Sequence, residues 1–261
     1  MVDPFLSNFL KLWQGGYYAG DPRDPLGESR YGIFGYHSSH YLVYLCCIKP
    51  YIKSDTVVIE IGPGRGAWTQ AISELDPKYI YAVDAVPPEH SGFWDYVGRK
   101  PNINYIVAED FSLSKIPDNS ADYFFSFGCF CHLRPEMCVD YINSLAKKLK
   151  PGAHAFLMIA DYDKFNACMR WYRETSIDKV FSRPKYMLVR AALRLTLKLS
   201  PKNFFFTELN KADDNGATVP GAWYHFGVDR ACEAITKAGF TVVERDMGVS
   251  HRDPLIHFVK N

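Results

Sequence analysis

The stretch VVIEIGPGRGAWTQ, residues 57–70, limits what this chain can fold into more than any other. A short apolar run, Val57 to Ile61, leads directly into Gly62-Pro63-Gly64-Arg65-Gly66, and an amphipathic segment opens at Ala67. Strand, glycine turn and helix in that order form the first half of a βαβ unit. There the glycines permit a tight turn and let the backbone approach a ligand closely. Glu60 lies inside the strand, two residues before Gly62. A carboxylate in that place is badly sited for a pyrophosphate and well sited for a cationic ligand. The spacing is G-x-G-x-G, so the third glycine comes one residue too early for the dinucleotide fingerprint, which argues against a nicotinamide cofactor.

The chain continues as an alternation of apolar strands and amphipathic helices. Strands are expected at Thr56–Ile61, Tyr79–Val83, Ile103–Val107, Tyr123–Phe127 and Ala153–Ala160, with helices at His40–Ile52, Ala67–Leu75, Phe93–Gly98 and Pro135–Leu149. Lys150-Pro151-Gly152 is the expected stop of the last helix. After a long insertion over 162–222, the pattern returns with a helix at Val228–Ala238 and strands at Thr241–Arg245 and Leu255–Val259. The expectation is an α/β, Rossmann-like fold with a seven-stranded, mostly parallel sheet and a C-terminal antiparallel hairpin. At 261 residues the chain fits one domain. Its parts are an N-terminal lid and helix (1–54), a ligand-binding core (55–161), the insertion (162–222) and a C-terminal helix and hairpin (223–261).

Acids recur at successive strand ends. Asp84 ends the second strand, 22 residues after Gly62, where an acid accepts hydrogen bonds from ribose hydroxyls. The third ends in Ala108-Glu109-Asp110-Phe111, which offers an acceptor for an adenine amino group and a ring to cover the base. The plainer alternative is a simple βα turn with Asp84 and Asp110 capping helices. Taken together, the turn and the two acids resemble the class I S-adenosylmethionine-dependent methyltransferases. The resemblance covers roughly residues 55–160, and the terminal hairpin agrees with it. It implies S-adenosylmethionine as cofactor. Glu60, Gly62, Gly64 and Gly66 would stand on its methionine side, Asp84 and Ala85 at the ribose, and Glu109, Asp110 and Phe111 about the adenine. In that family the loop after the fourth strand borders the methyl group, so DYFFSFGCFCHL (122–133) places Ser126 and Phe127 on the cofactor.

His132 follows in the same loop and is the expected general base for a hydroxyl nucleophile, since histidine titrates near neutrality. The alternative is a packing or capping role. Asp161, ending the fifth strand, and His37 stand in reserve. Asp161 with Asp163 hints at a metal, but two acids without a further ligand are a weak signal and no metal is expected. The N-terminal 40 residues are rich in both turn residues and aromatics, which suggests a lid folded over something. With GPGRGAWT, FSFGCFCHL and KLKPGAH, this stretch resembles bacterial methyltransferases encoded with surface-polysaccharide pathways. That narrower resemblance implies that Tyr17, Tyr18 and Arg30 enclose the cofactor, Arg30 on its carboxylate. Residues 162–202 hold ten basic and three acidic residues. Arg190 and Arg194 would meet an anionic acceptor, and Tyr224 and His225 a sugar face. A solvated face, a membrane surface or a partner are the alternatives.

Thirty basic residues balance 29 acidic ones, which gives no electrostatic footprint for nucleic acid. The Asp/Asn-Pro-Pro-aromatic turn of amino-methylating nucleic-acid enzymes is replaced by Ser126-Phe127-Gly128-Cys129. Seven cysteines without zinc-like spacing fit a reduced, cytoplasmic protein. Residues 1–12 lack the pattern of a signal peptide, and no apolar run is long enough to span a bilayer. The expected activity is O-methylation of a small, sugar-derived or phosphorylated hydroxyl compound, in surface-polysaccharide synthesis, by an enzyme that could be a homodimer. N-methylation of a small amine, and a non-catalytic cofactor-binding regulator, are the rival expectations.

Overall fold

The computed structural model describes residues 2–12, 18, 20–25, 38–180, 187–189, 191–192, 195 and 223–261. In chain order its elements are α1 (Pro4–Leu12), α2 (Ser39–Val43) running into a π-helical turn (Tyr44–Ile48), β1 (Val57–Ile61) and α3 (Ala67–Ser73). There follow β2 (Tyr79–Asp84), α4 (Pro88–Ser91), α5 (Phe93–Val97), β3 (Ile103–Val107), β4 (Ala121–Ser126) and a 3-10 turn (Phe130–His132). The last are α6 (Pro135–Lys148), β5 (Leu149–Met158), α7 (Tyr162–Val180), α8 (Val228–Lys237), β6 (Phe240–Glu244) and β7 (Leu255–Lys260).

The seven strands form one sheet in the order β3-β2-β1-β4-β5-β7-β6. The first five are parallel, and β7 lies antiparallel between β5 and β6. The expected seven-stranded Rossmann-like sheet with its antiparallel C-terminal hairpin is therefore present. Alternation along each strand feeds two apolar layers. Ile59, Ile61 and Phe124 face the layer completed by Leu6 of α1, Tyr141 and Leu145 of α6, and Ile235 of α8. Val58, Tyr123 and Phe125 face the layer completed by Val43 and Cys47, Trp68 and Ile72 of α3, and Phe93 of α5. Both faces being covered is why these strands read as nearly continuous apolar runs. Sequence order reverses between β1 and β4. In open α/β sheets that switch point, outside the carboxyl ends of the strands, is where ligands bind.

Three boundaries differ from expectation for identifiable reasons. The helix expected over His40–Ile52 widens into a π turn after Val43. There the buried Tyr123 hydroxyl donates to the Cys47 carbonyl at 2.5 Å. Strand β5 begins at Leu149, directly after α6, and not at Ala153, because Leu149 takes an extended conformation and pairs with Ala121. Lys150-Pro151-Gly152 therefore lies inside the strand, at the irregularity between Ala121 and Tyr123. Finally, the N-terminus begins with a helix that the turn-rich composition concealed. Asp3 caps it, accepting from the Phe5 amide at 2.8 Å, and Leu6 is buried in the core.

Candidate active site

A cleft of about 330 Å³ opens at the switch point. Its floor is the glycine turn. Gly62, Gly64 and Gly66 all take positive φ (76°, 55° and 98°), which L side chains rarely adopt. The close approach is real as well as conformational: a Cβ on Gly62 would lie 2.3 Å from the Cβ of Cys129, and one on Gly66 2.3 Å from Val97. Gly62 and Gly64 line the cleft, whereas Gly66 packs on α5 beneath it.

Asp84 ends β2 beside this floor. Its two oxygens accept the Gly64 and Val86 amides, each at 3.0 Å, so the acid ties the glycine turn to the next loop. A carboxylate has about four acceptor positions, which leaves some for a ligand in the cleft that Asp84 and Ala85 line. Burial pushes the Asp84 carboxyl up, and the amides of Val86, Gly64 and Ala85 pull against it. Glu60 is sealed below the turn, 1% exposed, and accepts from the Thr69 hydroxyl at 2.7 Å. Burial raises it to about 8, against the Thr69 bond and with help from the charge of Asp84.

One wall is aromatic. Tyr18 stacks on His40 at 4.3 Å and 8°, and His40 lies 5.5 Å from Trp68 and 5.4 Å from Phe127. Phe127 belongs to this wall because it shares strand parity with Phe125, on which its ring stacks. By the same alternation Ser126 turns the other way. It is fully buried and donates to the Ile61 carbonyl at 2.8 Å, joining β4 to β1 outside the cleft. The loop beyond contributes Gly128, Cys129, Cys131, His132 and Leu133. His132 closes the 3-10 turn, its amide bonded to the Cys129 carbonyl at 2.9 Å.

Other expected site residues stand apart. Glu109 is exposed and pairs with Lys115 at 3.0 Å, and the Asp110 carboxylate accepts from the Ser112 amide and hydroxyl at 2.8 and 2.6 Å. Both border a separate groove, and Phe111 packs edge-on against Tyr141 in the core. Asp161 accepts the Asp163 and Lys164 amides at the start of α7 and the Val228 amide at the start of α8. It shares a second groove with His225, whose Nδ1 accepts the Tyr162 amide. Tyr224 is buried, its amide bonded to the Cys131 carbonyl. Tyr17, Arg30, His37, Arg190 and Arg194 lie outside the described residues. Sequence reasoning did not find His40, Trp68, Arg65, Tyr141 or Arg252, all of which line the cleft. Only Arg65, inside the glycine turn, carried a local signal.

Residues 59–157 match the family model described as a methyltransferase domain. No curated protein sequence matches the chain. Several solved structures share the fold at low identity. An S-adenosylmethionine-dependent methyltransferase from Mesorhizobium loti is 13% identical at a TM-score of 0.55, covering 88% of this chain and 100% of its own. One from Aquifex aeolicus is 14% identical at 0.50, over 98% of both chains. The 1,6-didemethyltoxoflavin-N1-methyltransferase of Burkholderia thailandensis, solved with S-adenosylhomocysteine, is 16% identical at 0.50, over 85% of this chain and 76% of its own. The cleft suits such a cofactor: a glycine-rich floor, an acid with open acceptor positions, and one aromatic wall. Beside the domain match over residues 59–157, the sheet order is that of the S-adenosylmethionine-dependent methyltransferase structures that the chain resembles. The chain is a methyl-transferring enzyme, and S-adenosylmethionine is its cofactor.

Proposed function

We propose that this enzyme methylates a hydroxyl oxygen of a small acceptor, with His132 as the general base. The observation behind this reading is that His132 faces the same cleft as the glycine turn and Asp84, on the loop after β4. The volume, about 330 Å³, lies in the range of small-molecule sites. Gly62 and Gly64 would receive the methionine part of the cofactor, Asp84 the ribose hydroxyls, and Leu133 with Tyr141 a face of the adenine ring. When bound, the cofactor supplies an electrophilic methyl group on a sulfonium. The chain's own task is to hold the acceptor oxygen in line with that methyl and to take its proton. The aromatic wall of Tyr18, His40, Trp68 and Phe127 would keep water from the reacting atoms. The likeness to surface-polysaccharide methyltransferases makes sugar-derived alcohols the first acceptors to try, and a cytoplasmic enzyme the natural setting.

Turnover of labelled cofactor over alcohols and amines tests this reading. With an alcohol acceptor, H132A lowers kcat by about 10²–10⁴-fold and leaves cofactor affinity within about twofold. Equal kcat in H132A and wild type, where methyl transfer limits the rate, overturns the assignment. Efficient turnover of amines alone, which need no strong base, would move the enzyme to N-methylation.

A further inference from the structure

Two guanidinium groups line the cleft among the described residues, Arg65 in the glycine turn and Arg252. Arg252 enters from the β6–β7 connection and lines the cleft with His132 and Cys131. Its guanidinium is held on two sides. Nε donates to the Asp253 carboxylate at 2.8 Å, and the charged carbon sits 3.7 Å from the centroid of the Trp223 ring. Both supports are themselves fixed. Asp253 is 1% exposed. The Trp223 carbonyl accepts the Tyr162 hydroxyl, and the Trp223 ring meets Phe165 edge-on at 5.7 Å. Although 53% exposed, this long, rotamer-rich side chain is thus held on two sides at the edge of a ligand cleft, which narrows its conformational freedom.

The contact that fixes it also dictates what remains. Side-on binding of an oxyanion uses Nε with one terminal nitrogen, and Nε is taken by Asp253. The Nη1 and Nη2 pair is left, an end-on fork whose spacing matches two oxygens of a carboxylate or phosphate. Among the described residues neither terminal nitrogen has a protein hydrogen bond. The guanidinium on the glycine-turn side is Arg65, which lies over the Tyr96 ring at 5.3 Å. Arg252 stands instead beside the loop after β4, close enough for its charge to act on the Cys131 thiol.

We propose that Arg252 is the positioning residue for the acceptor and binds an oxyanion, a phosphate or carboxylate, carried by that acceptor. The inference rests on the reading of this cleft as one shared by cofactor and acceptor, and it narrows the acceptor to anionic compounds. Calorimetric titration of the whole protein at low ionic strength, with inorganic phosphate and separately with malonate, tests it. Each titration is run with and without S-adenosylhomocysteine. The expected result is saturable binding of at least one probe, weakened tenfold or more in R252Q, with S-adenosylhomocysteine affinity within twofold of wild type. R252K keeps the charge and a partner for Asp253 but lacks the fork, so it should weaken the probe about threefold or more. It also serves if R252Q does not fold.

Wild-type probe affinity in folded R252Q or in R252K overturns the proposal, as does failure of the wild type to bind either probe. A parallel fall in S-adenosylhomocysteine affinity also overturns it, since Arg252 would then hold the cofactor. Failure of the methyltransferase reading shows differently, as absent S-adenosylhomocysteine binding in the wild type. The titrations without it still report on Arg252.

Discussion

Asp84 and Asp161 both lie at the C-terminal edge of a parallel strand and are used in opposite ways. Asp84 is the last residue of β2, and Asp161 lies three residues past Met158, the last of β5. Asp84 accepts two loop amides and keeps surface toward the cleft. Asp161 is 6% exposed and spends both oxygens on three amides, capping α7 with one and α8 with the other. The charges respond accordingly. At Asp84 burial dominates and the carboxyl is pushed up. At Asp161 burial also pushes up, but the amides of Val228, Lys164 and Asp163 and the neighbouring His225 outweigh it, and the carboxyl ends below the usual range. A strand end thus offers a place for an acid. The amides that the following loop and a distant helix bring to it decide whether it can serve a ligand.

Glu60, in β1, extends the comparison to an acid with burial and almost nothing to offset it, and carries the largest expected effect. In the folded chain its carboxyl titrates at about 8, against an ordinary carboxylate value in the unfolded chain. The folded protein then holds a proton that the unfolded chain has released. This contribution to stability is complete below the unfolded value and is lost as pH rises through about 8. Its ceiling is about 5 kcal/mol, reduced by whatever water reaches the site. E60Q, which cannot ionise, should melt near the wild-type temperature at pH 5 and above it at pH 8.5. Parallel melting curves for the two proteins across that range would show that Glu60 is not held protonated.

Exchanging the roles of Asp84 and Asp161 comes next in size. D84A should weaken S-adenosylhomocysteine by about 1–3 kcal/mol, roughly 5–150-fold, through loss of charge-assisted hydrogen bonds. D161A should leave that affinity nearly unchanged and cost about 1–2 kcal/mol of stability for each uncapped helix, read from denaturant midpoints. A D161A protein of normal stability and poor cofactor affinity would reverse the comparison.

The sequence exposed one side of this contrast and hid the other. Gly62 to Gly66 and Asp84 are legible because turn chemistry and strand length act within a few residues. The two apolar layers are legible because period-two alternation has to match a buried sheet. Asp161 is different. It looked like a site acid because the Val228 amide that occupies it lies 67 residues away. His40 and Arg252 were missed for the same reason: only the folded topology brings α2 and the β6–β7 connection to the cleft. Ser126 shows a subtler failure. The strand was found, but the alternation within it points Phe127, and not Ser126, at the cleft.

The smallest expected effects belong to the acids after β3, which test whether a strand-end acid can be neutralised by its own loop. Bonds from the Ser112 hydroxyl and amide hold the Asp110 carboxyl below the usual range. The Lys115 ammonium does the same for Glu109, which is exposed. Neither lines the cleft that holds the glycine turn and Asp84. A ligand reaching Asp110 would have to compete with two short local bonds, and one reaching Glu109 would gain an interaction screened by solvent. E109Q should therefore change S-adenosylhomocysteine affinity by less than about twofold, and D110A by less than about fivefold, well short of D84A. The same calorimetric titration reads all three variants. A loss in D110A as large as that in D84A would return Asp110 to the adenine and require the Ser112 turn to open when cofactor binds. Hydrogen exchange at the Ser112 amide, with and without S-adenosylhomocysteine, distinguishes that opening from a preformed contact. Protection that does not change on binding leaves Asp110 as a turn residue, an acid at a strand end whose own loop has already used it.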